Sequence, residues 1–484
     1  MEVAPRRSIS SLSRQERLLI GFIVASLGIL SFWLASNRTL DPGYPRPGEE
    51  FNNDFFRQQA IALLNGRLHV PFNAEVFNEC FFREGRCYGY FGLTPSLIRI
   101  GAFAVALSTN PNPSPSIIAG GVMVALWASI YLAMGLAAGG PAGRQLTSVS
   151  RRWLIILVGA VLGLGSLLVF LSQAKVYYEP IVLMVAGLGV SFCFVHRWLV
   201  SRQSSHLIIA IIAAVAATNS RPAALIPTFI LGLGVAVIAI RSSDRSSPLP
   251  ILLGAGLTLL PTMSALSVMW AKFRSFSPQA EAVSYFETTA MQQILAANDG
   301  SLRGLRFGPS NLINYLRPDA MNFGGPWPSV RHSVPFEKEL VLLSPMSRAG
   351  IYAEFVGSLP TMMPVALVLT FGFTFLLTVG FTVTAADALV RLDRTERQTF
   401  VLLMSSSITA PIAMLFSYTI TTRFLGDFFP LLAVGTVFAL VWLVALLQDR
   451  PRVFVIIAAG FLLSAAATFW INQSLQMQTS TIFG

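Results

Sequence analysis

The chain has 484 residues, of which 54% are hydrophobic and only 12% charged, with a mean hydropathy of +0.64; this excludes an ordinary soluble enzyme and places the sequence in the polytopic membrane class. Its formal net charge of +11 is read as a membrane-orientation signal and not as a nucleic-acid surface, because the arginines fall between apolar runs. No cysteine or histidine cluster has zinc spacing, and no P-loop, dinucleotide-type glycine fingerprint or nucleophile elbow occurs.

Residues 1–16 are expected to be a cytoplasmic N-terminus. The first apolar run, Leu18 to Ala35, is of spanning length and lacks a small-residue cleavage site, so it is expected to stay attached as a span. Further runs long enough for a hydrocarbon core of about 30 Å lie near 116–139, 153–172, 180–200, 222–240, 249–270, 360–385, 399–417, 428–447 and 453–471, with a shorter one at 206–219. With 17–36 they predict an all-α polytopic membrane protein of about eleven transmembrane helices. With the N-terminus inside, the inside segments hold Arg151 and Arg152, Arg197 and Arg202, and Arg391, Arg394 and Arg397 among others, the positive-inside pattern. The expected organisation is a transmembrane module over 17–270 that includes an outer loop 37–115, a second outer loop 271–359, C-terminal transmembrane helices over 360–471, and an outer tail 472–484.

The first outer loop opens with "FNNDFFRQQAIALLNGRLHVP", Phe51 to Pro71, which is too polar to cross a bilayer. Asp54, Arg57 and Gln58 share one helical face, while Phe56, Ala60, Leu63 and Leu64 can lie against spans or acyl chains. The pattern predicts an interfacial helix ended by Gly66. Phe91 to Leu107, with Arg99 and flanking prolines, suits a second interfacial or re-entrant helix. Counting it as a span would invert every later loop. Between these segments Cys80 and Cys87, in "CFFREGRC", either close a small disulfide in an oxidising exterior or remain two free thiols.

Polar residues recur at the same outer level. "SQAKVYYEP" offers Lys175 and Glu179, "TNSRPAAL" breaks a helical hairpin at Arg221, and "SYTITTRFLGDFFP" presents Arg423 and Asp427. Ionisable groups at membrane depth are costly and mark functional paths. Each also has a structural reading. Asp54 serves equally as a first-turn acid on the helix dipole, Glu179 as a partner of Lys175, Arg221 and Arg423 as snorkelling headgroup anchors, and Asp427 as a partner of Arg423.

The stretches "QAIALLNGRLHV", "GRCYGYFGLTPSL", "KVYYEP" and "RFLGDFFPLL" together resemble the GT-C superfamily of polyprenyl-phosphate-dependent glycosyltransferases, which includes protein O-mannosyltransferases, aminoarabinose transferases and arabinofuranosyltransferases. The resemblance implies a GT-C-like fold in a cell membrane, that of a bacterial inner membrane being the natural setting, with the active site on the extracytoplasmic side. It implies Asp54 as the catalytic carboxylate, and Glu179, with Gln58 beside Asp54, as the second acidic or acceptor group. Lys175, Arg221 and Arg423 are the candidates for binding the donor phosphate. Asn53 and Phe55 flank Asp54 where some members carry an adjacent Asp-Glu pair, so a divalent cation, held if at all by Asp54 and Glu179, is left open. In the second outer loop the resemblance points to His332 and Glu337, and to Trp327 as either a sugar-stacking or a packing residue.

Glycosyl transfer from a lipid phosphate requires a base for the acceptor hydroxyl and cations for the departing phosphate. The expected activity is therefore transfer of a sugar from a polyprenyl-phosphate donor, delivered by the lipid bilayer, to a glycan, lipid or protein acceptor of the cell envelope. Two other classes stand beside it: a transporter or flippase for a lipid-linked saccharide, needing the arginines but no base, and an O-antigen ligase or polymerase dependent on Arg331 or His332.

Overall fold

The computed structural model describes residues 12–41, 55–71, 81–89, 91–102, 113–139, 145–169, 177–241, 248–276, 283–284, 304–305, 308–317, 321–323, 330–332, 358–382, 392–415 and 425–482. Helices dominate them. In chain order they are α1 (Arg14–Ala35), α2 (Phe55–Leu64), α3 (Thr94–Ala102), α4 (Ser114–Ala138), α5 (Ser148–Val158), α6 (Tyr178–Ser201), α7 (Ser204–Thr218), α8 (Leu225–Arg241) and α9 (Leu249–Phe273). They continue as α10 (Gly308–Leu316), α11 (Leu359–Met362), α12 (Pro364–Thr382), α13 (Arg394–Ser407), α14 (Thr409–Leu415), α15 (Leu425–Leu447) and α16 (Pro451–Ile482).

Among the described residues, seven helices are long and apolar enough to cross a membrane. Shorter apolar helices cover Ser204–Thr218 and Pro364–Leu377. Two of the other expected spans are broken. After α5 the chain passes through a π-helical turn at Gly159–Leu164 and a 3-10 turn at Leu167–Val169, and Ile408 separates α13 from α14. A run of apolar residues marks burial or lipid, but does not tell whether one unbroken helix fills it.

Burial separates the centre of the bundle from its rim. In α4, α6 and α15, 72%, 67% and 78% of the most apolar window is buried, against 28% in α9 and 22% in α16. The central helices are in contact with one another, and close approach depends on small residues: a Cβ on Gly121 of α4 would lie 2.3 Å from Val182 of α6, and one on Gly187 of α6 2.7 Å from the Ala213 carbonyl oxygen of the neighbouring α7. On the rim, Phe22, Leu252, Leu260, Val368, Phe375 and Ile456 are exposed, as side chains facing lipid should be. Capping boxes start α1 at Ser13 with Glu16 and α13 at Asp393 with Glu396, each satisfying backbone donors left open at the helix start.

The two large segments expected outside the membrane are joined by a small sheet. Strands β1 (Phe81–Arg83) and β2 (Arg86–Tyr88) form a hairpin, and β3 (Val283–Ser284) pairs with β1. The tight turn of the hairpin has Glu84 and Gly85 at positive φ. A second hairpin joins β4 (Met321–Phe323) to β5 (Val330–His332).

Candidate functional site

The helix α2 begins at the residue after Asp54; Asp54 itself lies outside the described residues. The apolar residues of α2 divide between its two ends. Phe55, Phe56, Gln59 and Ala60 are buried, whereas Leu64 is 61% exposed and Leu63 only half-buried. The helix turns its N-terminal aromatic residues, and not its C-terminal leucines, toward the protein. Gln58 and Arg57 are half-buried. Gly66 ends the helix as expected, at φ +66, with its amide on the Leu63 carbonyl and the Arg67 amide on that of Ala62.

Several groups fasten α2. The Phe91 ring sits 6.1 Å from Phe55 and 5.2 Å from Phe56, and also contacts Tyr177 at 6.0 Å. Ser96 of α3 donates its hydroxyl toward the Phe56 carbonyl (3.1 Å) and the Gln59 side-chain oxygen (2.7 Å). The Arg99 guanidinium lies over the Phe56 ring, 5.5 Å from its centroid.

Arg99 is fully buried, a cost met only by pairing. One terminal nitrogen donates to Glu179 Oε1, and the other donates to Glu179 Oε2 at 2.9 Å and to the Ser114 hydroxyl at 2.7 Å. Ser114 in turn donates to Glu179 Oε2 at 3.0 Å. Glu179, 1% exposed, stands in the first turn of α6, where the helix dipole favours a carboxylate. Its partner is thus Arg99; Lys175 lies outside the described residues. With a guanidinium and a hydroxyl on its oxygens, Glu179 does not fit as a ligand for a divalent cation in this arrangement. Among the described residues no group of three His, Cys, Asp or Glu side chains is placed to hold a metal.

The break between α7 and α8 lies beside this assembly. After α7 the chain turns at Asn219 and Ser220 and enters a 3-10 turn, Pro222–Ala224. The Asn219 carbonyl accepts from the Thr94 amide at 2.9 Å, and the Thr94 hydroxyl donates to the Ala216 carbonyl at 2.9 Å. A Cβ on Gly92 would lie 1.9 Å from the Asn219 oxygen, so only glycine allows this approach. Two residues on, Arg221 donates from Nε to Asp427 Oδ1 and from a terminal nitrogen to Oδ2, both at 2.7 Å. Asp427 is fully buried in the first turn of α15. The partner of Asp427 is Arg221; Arg423 lies outside the described residues.

Of the remaining sequence candidates, Trp327 and Glu337 lie outside the described residues, and His332 contributes the last residue of β5. Cys87 is in a disulfide, and its expected partner Cys80 is outside the described residues. Cys193 is a buried free thiol. The site also holds residues that the sequence reading left unassigned: Ser96, Ser114, Asn219 and Lys272. Arg99 did carry a signal, a lone arginine in an apolar stretch.

No family model matches the chain, and no curated protein matches it. Among solved structures it is similar to the archaeal oligosaccharyltransferase AglB from Archaeoglobus fulgidus in complex with an inhibitory peptide and a dolichol-phosphate, at 12% identity and a TM-score of 0.47, covering 96% of this chain and 56% of that one. The apo form of the Archaeoglobus fulgidus oligosaccharyltransferase gives 15% identity and 0.45 over 96% and 56% of the two chains. The complex of that enzyme with Zn and sulfate gives 14% and 0.42 over 93% and 52%. The chain thus spans a little over half the length of the structures it matches, and at these scores the likeness assigns it no activity.

Proposed function

We propose that the chain is a membrane glycosyltransferase that moves a sugar from a polyprenyl-phosphate donor to a hydroxyl of a cell-envelope acceptor on the extracytoplasmic face. The supporting observation is the fastening of α2, the helix that follows Asp54, to the turn that carries Arg221. Phe56 is bonded by Ser96, and Thr94 is bonded to Asn219. Segments far apart in sequence meet there with carboxylates and guanidinium groups, the two charge types that the reaction needs.

In this reading Asp54 takes the proton of the acceptor hydroxyl as its oxygen bonds to the anomeric carbon. The bond from that carbon to the phosphate oxygen breaks, and its electron pair leaves with the polyprenyl phosphate. Arg221, oriented by Asp427, neutralises the departing phosphate together with Lys175 and Arg423. Gln58, one turn beyond Asp54, orients the acceptor. Glu179 acts through Arg99 to hold α2, and His332, Glu337 and Trp327 are assigned to the acceptor side.

The test is product formation by the purified chain, with a polyprenyl-phosphate sugar as donor and envelope glycans analysed by mass spectrometry. Asp54→Asn should lower turnover by about 100-fold or more, the usual contribution of a general base. Translocation of a lipid-linked saccharide without any transfer would replace this reading by a transporter. Loss on changing Arg331 or His332, with Asp54 dispensable, would replace it by a ligase or polymerase.

A further inference from the structure

Lys272 is one of three lysines in the chain and is 1% exposed, at the C-terminal turn of α9. Its ammonium donates to two backbone carbonyls, Gly89 at 3.1 Å and Phe91 at 2.8 Å, and no carboxylate lies within ion-pair distance of it among the described residues. Burying a cation against carbonyls alone is expensive. The open carbonyls at the end of α9 offset part of that cost, but an apolar side chain would fill the space more cheaply.

What the ammonium holds is Gly89 and the strap from Phe91 to Thr94. At one end a Cβ on Gly89 would meet the Phe55 ring at 2.0 Å. In the middle Phe91 is packed on Phe55 and Phe56. At the other end Gly92 and Thr94 rest on Asn219. The same turn of α9 adds Phe273, 5.9 Å from Tyr88 and 6.3 Å from Phe81, and Arg83 donates to the Lys272 carbonyl at 3.5 Å. The end of the α9 span is therefore docked on the hairpin and strap that press on Phe55, which is joined to Asp54 by one peptide bond.

We infer that Lys272 is a positioning residue for the transfer reaction: its ammonium locks Gly89 and the Phe91–Thr94 strap over Phe55 and so fixes the start of α2, the residue next to Asp54 in the chain. This rests on the proposed glycosyltransferase reading. Misplacing a reacting group by about 1 Å costs on the order of 100-fold in rate while leaving ligand affinity largely intact, so a positioning role has a kinetic signature that a simple donor-binding role lacks.

The experiment uses the full chain purified in detergent micelles. Lys272→Met keeps length and bulk but removes the donors. It should lower kcat by about 10- to 100-fold with the KM for the polyprenyl-phosphate sugar within about threefold, and amide exchange of the strap peptide should accelerate. Lys272→Arg, which keeps charge and donors, should recover part of kcat. Gly92→Ala loosens the same strap from its other end, keeps Lys272, and should give the same split; it decides the matter if Lys272→Met does not fold. Parental kcat in either folded variant, unchanged strap exchange, or a rise in KM alone overturns the inference. No transfer product from the parental chain, alongside faster strap exchange in Lys272→Met, would refute the glycosyltransferase reading while leaving the tether; an active parental chain and an inactive Asp54→Asn beside a fully active Lys272→Met would refute the tether's role alone.

Discussion

Among the described residues two buried arginine–carboxylate pairs stand out, and they hold different things. Arg99 and Glu179 are 80 residues apart, exposed by 0% and 1%, and share Ser114 as a third member. Arg221 and Asp427 are 206 residues apart, exposed by 7% and 0%. In both, the carboxylate sits in the first turn of a long apolar helix, so the dipole and the guanidinium stabilise it together. The first pair clasps the nine-residue helix α3 to the bundle. The second stitches the break after α7 to α15, joining the first half of the bundle to the second. A clasp fixes where a surface helix sits, whereas a stitch adds a polar link to the apolar contacts by which α15 already packs on α4 and α6.

Removing one partner from the clasp should have the largest effect on stability. Glu179→Gln leaves Arg99 fully buried without its counter-charge, a loss of about 3–5 kcal/mol, to be read as a fall in the thermal midpoint in detergent. Replacing both by leucine should cost much less, because the desolvation of both charges disappears with them. If the single and double changes were equally harmful, the geometry of the pair and not its charge balance would be what matters. Asp427→Asn should cost less, about 2–3 kcal/mol, since Arg221 retains some solvent contact and an amide still offers it an oxygen. Its effect should spread through both halves of the bundle, visible as faster exchange in α7 and α15, while Glu179→Gln should act mainly on α2 and α3.

The fold was readable where apolar length decides it. A helical segment lies in each of the expected spans, because a buried or lipid-facing run has few other ways to satisfy its backbone. The breaks at Gly159–Leu164 and Ile408 were not readable, since local packing and not hydropathy sets them. Among the candidate residues, Arg221 and Asp427 were legible as costly charges at membrane depth, but not as each other's partners: Arg423 is nearer to Asp427 in sequence, and only the approach of the Asn219 turn to α15 selects Arg221. Glu179 was assigned by a neighbouring lysine for the same reason, and the arginine that binds it comes from a short helix 80 residues earlier. Lys272 gave no signal at all, because its partners are carbonyls and a sequence does not show which carbonyls are left open.

The smallest expected effect tests whether clasp and stitch act independently. Thr94 begins α3, the clasped helix, yet its amide and hydroxyl bind the Asn219 and Ala216 carbonyls of the stitched turn. Thr94→Val keeps the backbone bond and the shape and removes the hydroxyl bond, a loss of about 1 kcal/mol. Combined with Asp427→Asn, the loss in the double variant should differ from the sum of the two single losses by more than about 0.5 kcal/mol, the margin within which independent sites add. Additivity within that margin would mean that the α3 clasp and the Arg221 stitch stabilise separate units, and that the start of α2 is set without the Arg221 turn. Coupling would mean that a change at Asp427 reaches α2 through Asn219 and Thr94, so that Asp427→Asn should also lower turnover without altering donor KM.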